Sequence, residues 1–159
     1  MGVLTYQLAE SLIASQGKNI SIPFGYTSIG EGAFLVKKIS SVYIPESVAL
    51  VGNQAFFGNN LSSLTIPNGV TYIGRSAFHA NNLTSVVIPN SVTSMGWYAF
   101  ASNSLTSAVI SNSLSSINLG AFQDNLLTEI VIPNSIRTIG DDAFNVNQLT
   151  SIVIPEGVT

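Results

Sequence analysis

The chain has 159 residues, 46% hydrophobic and only 8% charged, with five Lys and Arg against eight Asp and Glu for a formal net charge of −3. A soluble domain ordinarily carries roughly 25% charged residues, and a mean hydropathy of +0.42 invites a membrane assignment; yet Ser, Thr and Asn interrupt every apolar stretch well short of the ~18 residues a spanning helix needs. The lack of a basic cluster excludes phosphate-driven nucleic-acid binding, and the lack of cysteine excludes disulfides, thiolate metal sites and a cysteine nucleophile.

The start of the chain, Met1-Gly2-Val3-Leu4, has neither a positive region nor an apolar one, so no signal peptide is visible in it. Leu4, Leu8, Leu12 and Ile13 fall at helical spacing, with Gln7, Glu10 and Ser11 between them. That pattern predicts a short amphipathic helix over residues 4–15. Residues 1–16 are read as an N-terminal helical cap and residues 17–159 as a repeat solenoid.

The solenoid has a fixed period. Ile39, Leu61, Leu83, Leu105, Leu127 and Leu149 are each 22 residues apart. Ala-Phe recurs at the same interval, from Ala33-Phe34 to Ala143-Phe144, and Ile-Pro recurs from Ile22-Pro23 to Ile154-Pro155, with Ser111 in place of Pro in the fifth repeat. Six full repeats run 17–38, 39–60, 61–82, 83–104, 105–126 and 127–148, and a partial seventh runs 149–159. Repeat one is atypical, with Gly17 for Leu and Lys37-Lys38 at its end, as suits a terminal repeat.

Repeat four shows what each position does. Val86 and Ile88 point to one side of a short β-branched strand and Val87 to the other. Pro89 removes a donor and ends the strand, and Pro89-Asn90-Ser91 reads as a turn. Val92 and Met95 return to the core. Gly96 is expected to need a positive φ, with Asn118 tolerating the same region in repeat five. Ala99-Phe100 forms a short helical or 3₁₀ turn, with Phe100 filling the coil. Asn103 closes the repeat, and its equivalents Asn59, Asn81, Asn125 and Asn147 are expected to form a structural ladder, bonding along the column and to turn carbonyls.

One coil of 22 residues cannot offset its own ordering entropy with the few apolar side chains it buries. Stacking closes the gap, so the repeats form a solenoid, a rod roughly 30 Å long at ~4.8 Å per strand. Residues 149–159 hold only part of a repeat, which predicts an open coil end with an unpaired edge. Continuation of the native protein would cover that end, as would another chain in a homo-oligomer.

The unit L-x-x-V-x-I-P-x-x-V-x-x-I-G-x-x-A-F-x-x-N resembles the leucine-rich repeats of BspA-like proteins, the Treponema pallidum type, over residues 17–159. The resemblance implies a right-handed leucine-rich-repeat coil with short parallel β-strands. It also implies a cell-surface or secreted protein, bacterial or protist, that adheres to host or matrix proteins. The family's common Cys is Asn here.

Chemistry-bearing residues are sparse. His79, the single histidine, is expected on the surface, without an acid in its own repeat. Asp141-Asp142, with Asp124 one coil earlier, is the one acidic pair, and adjacent turn residues usually face different ways. No catalytic, metal or cofactor site is assigned, and the chain is read as a non-enzyme.

Binding surfaces offer more. Two outward columns flank the strand: Ser41, Ser63, Ser85, Ser107, Glu129 and Ser151, and Tyr43, Thr65, Val87, Val109, Val131 and Val153. The second column either packs as a ladder of β-branched neighbours or serves as a protein-binding face. Tyr72, Trp97 and Tyr98 stand where sibling repeats carry mostly polar or small residues, and Tyr72 and Trp97 are candidate neighbours across coils. Such aromatics suit a protein hot spot or a sugar-stacking platform. The function expected is a non-catalytic protein-binding or adhesion module, with a carbohydrate-binding module or a structural, oligomerising spacer as alternatives.

Overall fold

A computed structural model describes residues 2–158, so Met1 and Thr159, the outer ends of the cap and of the partial repeat, lie outside the described residues. The chain winds into a parallel β-solenoid with one coil per repeat. Each fully formed coil has room for two short strands rather than one. Numbered in chain order, the strands before Ile-Pro are β2 (Asn19–Ser21), β4 (Ser41–Tyr43), β7 (Ser85–Val87) and β9 (Ser107–Val109). A second set ends at the residue before the repeat glycine: β3 (Tyr26–Ile29), β5 (Leu50–Val51), β6 (Tyr72–Ile73), β8 (Ser94–Met95), β10 (Ser116–Ile117) and β11 (Thr138–Ile139). Most of these are two residues long, too short to leave an alternation in the sequence.

β1 (Gly2–Leu4) extends the second set ahead of the first repeat, pairing in parallel with β3 so that Leu4 faces Ile29. Leu4 is therefore a buried strand residue, not the first residue of the helix. The cap helix α1 (Tyr6–Gln16) follows, with the Thr5 hydroxyl accepting from the Leu8 N–H at 3.5 Å and Gly17 ending it at φ 73°. Ala9 is its buried residue and Leu12 and Ile13 pack beside it, while Leu8 is exposed. The inward face is thus Ala9–Leu12–Ile13, spaced i, i+3, i+4. Gln16 lies against β2, its amide donating to the Ser21 carbonyl and accepting from the Ser21 N–H at 3.1 and 2.6 Å. Lys37 explains the unusual end of repeat one: its ammonium lies 2.6 Å from Glu10, bonds the Tyr6 hydroxyl at 2.5 Å and sits 4.2 Å from the Tyr6 ring centre.

The glycine before the Ala-Phe turn is not left-handed; φ is positive two residues later, at Gly32, Gln54, Ser76, Tyr98, Gly120 and Asp142, and again at Val36, Gly58, Ala80, Ser102, Asp124 and Val146. The glycine is needed because coils approach closely there. A Cβ on Gly52 would stand 2.7 Å from the Glu31 nitrogen, and one on Gly140 would stand 2.6 Å from the Leu119 nitrogen. Each of these glycines donates its N–H to the coil before it: Gly30 to Leu4, Gly52 to Ile29, Gly74 to Val51, Gly96 to Ile73 and Gly140 to Ile117, at 2.7–2.9 Å.

Asn118 breaks the pattern and the sheet together. β1, β3, β5, β6 and β8 form one five-stranded sheet, which stops before β10; pairing resumes between β10 and β11, where Gly140 returns. The Met95 carbonyl, which a glycine N–H would otherwise reach, accepts from Asn118 Nδ2 at 2.5 Å. The side chain thus stands between the coils and supplies the hydrogen bond itself.

The core is a continuous column. Phe34, Phe56, Phe78, Phe100, Phe122 and Phe144 stack nearly parallel, at centroid spacings of 5.1, 5.3, 5.4, 5.9 and 5.7 Å. The asparagines lock it, but not by bonding to one another. Asn81 Oδ1 accepts from the Leu61 N–H at 3.1 Å, while Nδ2 donates to the carbonyls of Phe56 and Phe78 at 2.9 and 3.1 Å. Asn59, Asn103, Asn125 and Asn147 repeat the arrangement. Each closes its own coil and holds the preceding one.

Candidate functional site

The strand before Ile-Pro presents the exposed aliphatic column. Val87, Val109, Val131 and Val153 all face solvent, the last two at 82% exposure, and Tyr43 continues the column at the first end. β7 and β9 place Val87 opposite Val109, and an isolated bridge places Val131 opposite Val153. The ladder on this side is intermittent: β2 pairs only with β4 and β7 only with β9, and residues 63–65 form no strand.

Shallow clefts lie along this face. One of about 310 Å³ is bounded by Leu64, Thr65, Ile66, Val87 and Pro89. A second of about 340 Å³ is bounded by Ala108, Val109, Ile110, Val131 and Pro133. A third of about 330 Å³ is bounded by Ile130, Val131, Ile132, Val153 and Pro155. An Asn marks each: Asn68, Asn112 and Asn134. Val131 belongs to two of them, so the last coils present a continuous apolar strip with amides along it. Glu129 is the only acidic or basic side chain in the two outward columns that is charged at neutral pH. The strip can therefore take an uncharged surface without stranding a charge.

The aromatic residues do not form one platform. Tyr72 lies in β6, in register between Leu50 and Ser94. Trp97 lies beyond the glycine, 52% exposed, and among the described residues no ring contact joins it to Tyr72. Tyr98 turns away from both. Its left-handed backbone sets the ring over Gly120 of the next coil and edge-on to His79, with centroids 6.4 Å apart.

His79 is half-buried rather than on the open surface, stacked on Phe57 at 4.9 Å. The preceding coil supplies that Phe at the equivalent position, and Tyr98 covers the other side. Burial pushes the imidazole below its ordinary pKa, against a smaller opposing pull from Asp124. Sequence spacing could not reveal this site, because Asp124 comes from two coils away and Tyr98 reaches back only through its backbone conformation. Asp141 and Asp142 are exposed, and no group of three or more His, Asp and Glu lies together among the described residues. No helix among the described residues is long and apolar enough to cross a membrane.

Comparison with known proteins gives the lineage. No curated protein matches the chain. A leucine-rich repeat protein from Bacteroides ovatus superposes with a TM-score of 0.75 at 26% identity, covering 93% of this chain and 46% of its own. One from Eubacterium ventriosum gives 0.60 at 27% identity, covering 89% and 42%. A leucine rich cell surface protein from Faecalibacterium prausnitzii, at 24% identity, gives 0.50 over 95% and 57% and shares the fold. The chain thus spans less than half the length of the Bacteroides ovatus protein. The BspA type leucine rich repeat region matches in six copies, over residues 13–126 and 50–159. The chain belongs to the BspA-type leucine-rich repeat family.

Proposed function

We propose that this chain is a non-catalytic protein-binding module of a bacterial cell-surface or secreted protein, acting in adhesion through the valine column. The observation that carries this reading is the exposed row Val87, Val109, Val131 and Val153, with its clefts and no lysine or arginine in either outward column. Aliphatic side chains left this open on a folded surface favour a partner that covers them. The surface location is supported by the family and by the Faecalibacterium prausnitzii protein, described as a cell surface protein.

Trp97, exposed at a coil edge, is the specific observation that favours a glycan; its separation from Tyr72 leaves that reading a single ring to stack on. Self-association as a structural spacer is the third reading. One screen separates the three. The purified chain is applied to a panel of immobilised extracellular-matrix proteins and to a glycan array, with its mass in solution measured by light scattering. The proposal predicts binding to a protein and retention of that binding by Trp97→Ala. Glycan hits lost in Trp97→Ala, with no protein bound, would replace it with the carbohydrate reading. A dimer with neither kind of ligand would replace it with the spacer reading.

A further inference from the structure

We infer that the junction between the fourth and fifth coils is a built-in joint, about which residues 2–104 and 105–158 move as two stacked units. Two departures from the repeat meet in the fifth coil, Ser111 for Pro and Asn118 for Gly. They act on opposite sides of the same junction. On the glycine side, Asn118 carries a Cβ where close-packed coils admit none, and the sheet stops between β8 and β10. The N–H groups of Thr71, Thr93 and Arg137 donate to the coil before them at 2.8, 3.0 and 2.8 Å. Among the described residues Ser115, their equivalent, makes no such bond. A single side-chain bond, Asn118 Nδ2 to the Met95 carbonyl, spans the gap on that side.

The other sides of the junction stay closed. β7 and β9 pair over three residues, and the buried Ser111 hydroxyl donates to the Val92 carbonyl at 2.8 Å. Along the Phe edge, Tyr98, Phe100 and Ser102 donate to Leu119, Ala121 and Gln123 at 2.9, 3.0 and 2.9 Å, and the Tyr98 ring rests on Gly120. Phe100 and Phe122 have the widest spacing of the phenylalanine column, 5.9 Å. An open side facing two hydrogen-bonded sides is the geometry of a hinge: opening bends the rod about the strand and Phe edges and breaks the Asn118–Met95 bond. Local stability differs across a fold in this way where backbone hydrogen bonds thin out.

Amide exchange and spin-label distances on the full chain test the joint. The amides of residues 115–118 are expected to exchange at least tenfold faster than those of residues 93–96 and 137–140. Asn118→Gly, which restores the residue that five other coils use, is expected to slow them to the rate of their equivalents. Asn118→Ala keeps the Cβ without the amide and is expected to leave them fast. The chain has no cysteine, so Asn60→Cys with Gln148→Cys places labels on either side. Their distance distribution is expected to narrow with Asn118→Gly, while that of Lys38→Cys with Asn82→Cys, both before the joint, stays unchanged. Equal protection at residues 115–118 in the unaltered chain would overturn the inference. So would a spanning distribution that Asn118→Gly does not narrow.

Discussion

Asn81 Nδ2 donates to the carbonyl of Phe56, 25 residues earlier, at 2.9 Å, while its Oδ1 accepts from Leu61 at the start of its own coil. One amide thus ties a coil shut and fastens it to the coil before. Only a side chain with both a donor and an acceptor at this reach can do so. Asn81→Ala leaves the buried Leu61 N–H without its partner, while the Phe56 and Phe78 carbonyls each keep a second donor, Asn59 Nδ2 at 2.9 Å and Asn103 Nδ2 at 3.0 Å. A loss of about 1–3 kcal/mol in urea unfolding is expected. Asn81→Asp should cost at least as much at neutral pH, because a carboxylate faces the Phe56 and Phe78 carbonyls without a proton to give.

The phenylalanine column should show a gradient. Phe78 is fully buried, with a ring stacked on each side, whereas Phe144 is only partly buried and has its one stacked neighbour in Phe122. Phe78→Ala is expected to cost about 3–5 kcal/mol. Phe144→Ala should cost clearly less in the same unfolding assay. Equal losses would mean that the last coil is as well packed as the middle ones.

His79 should make the fold acid-sensitive. Burial between Phe57 and Tyr98 lowers its pKa in the folded state, with Asp124 opposing. The unfolded chain therefore binds the proton more readily, and stability falls as pH drops below the ordinary histidine value of about 6.5. His79→Phe, which reproduces the Phe57 position, should flatten the fall in melting temperature between pH 7.5 and pH 5. An unchanged slope would place the acid sensitivity in the carboxylates instead.

Lys37 should hold the cap. Its ammonium is kept above the ordinary lysine range first by the hydrogen bond to Glu10 and then by the one to Tyr6. Because the folded pKa is raised, this contribution is present at neutral pH and is lost as pH rises through the raised value. Lys37→Met should speed amide exchange across residues 6–16 at pH 7 while leaving the sixth coil unchanged.

Much of this architecture is legible in the sequence because the repeat shows each position several times. The Phe column, the Ile-Pro strand and the closing Asn follow from residue type and period alone. The sheet before the glycine does not, since segments such as Tyr72-Ile73 are too short to alternate. The glycine's purpose is also hidden: Gly96 and Asn118 suggest a shared backbone conformation, whereas the constraint is the space between coils. Contacts across coils, such as Tyr98 on Gly120 and Lys37 on Glu10, depend on stacking geometry that the period does not encode. The valine column was readable as outward-facing, while its intermittent clefts required the strand pairing.

The most direct test of the central claim is the affinity of a valine-column variant for the matrix protein found by the screen. Val109→Asp with Val131→Asp changes two exposed side chains and should leave the circular dichroism spectrum and melting temperature nearly unaltered. The account predicts at least a tenfold loss of affinity by biolayer interferometry. Unaltered affinity in that folded variant would contradict the assignment of the valine column as the binding face.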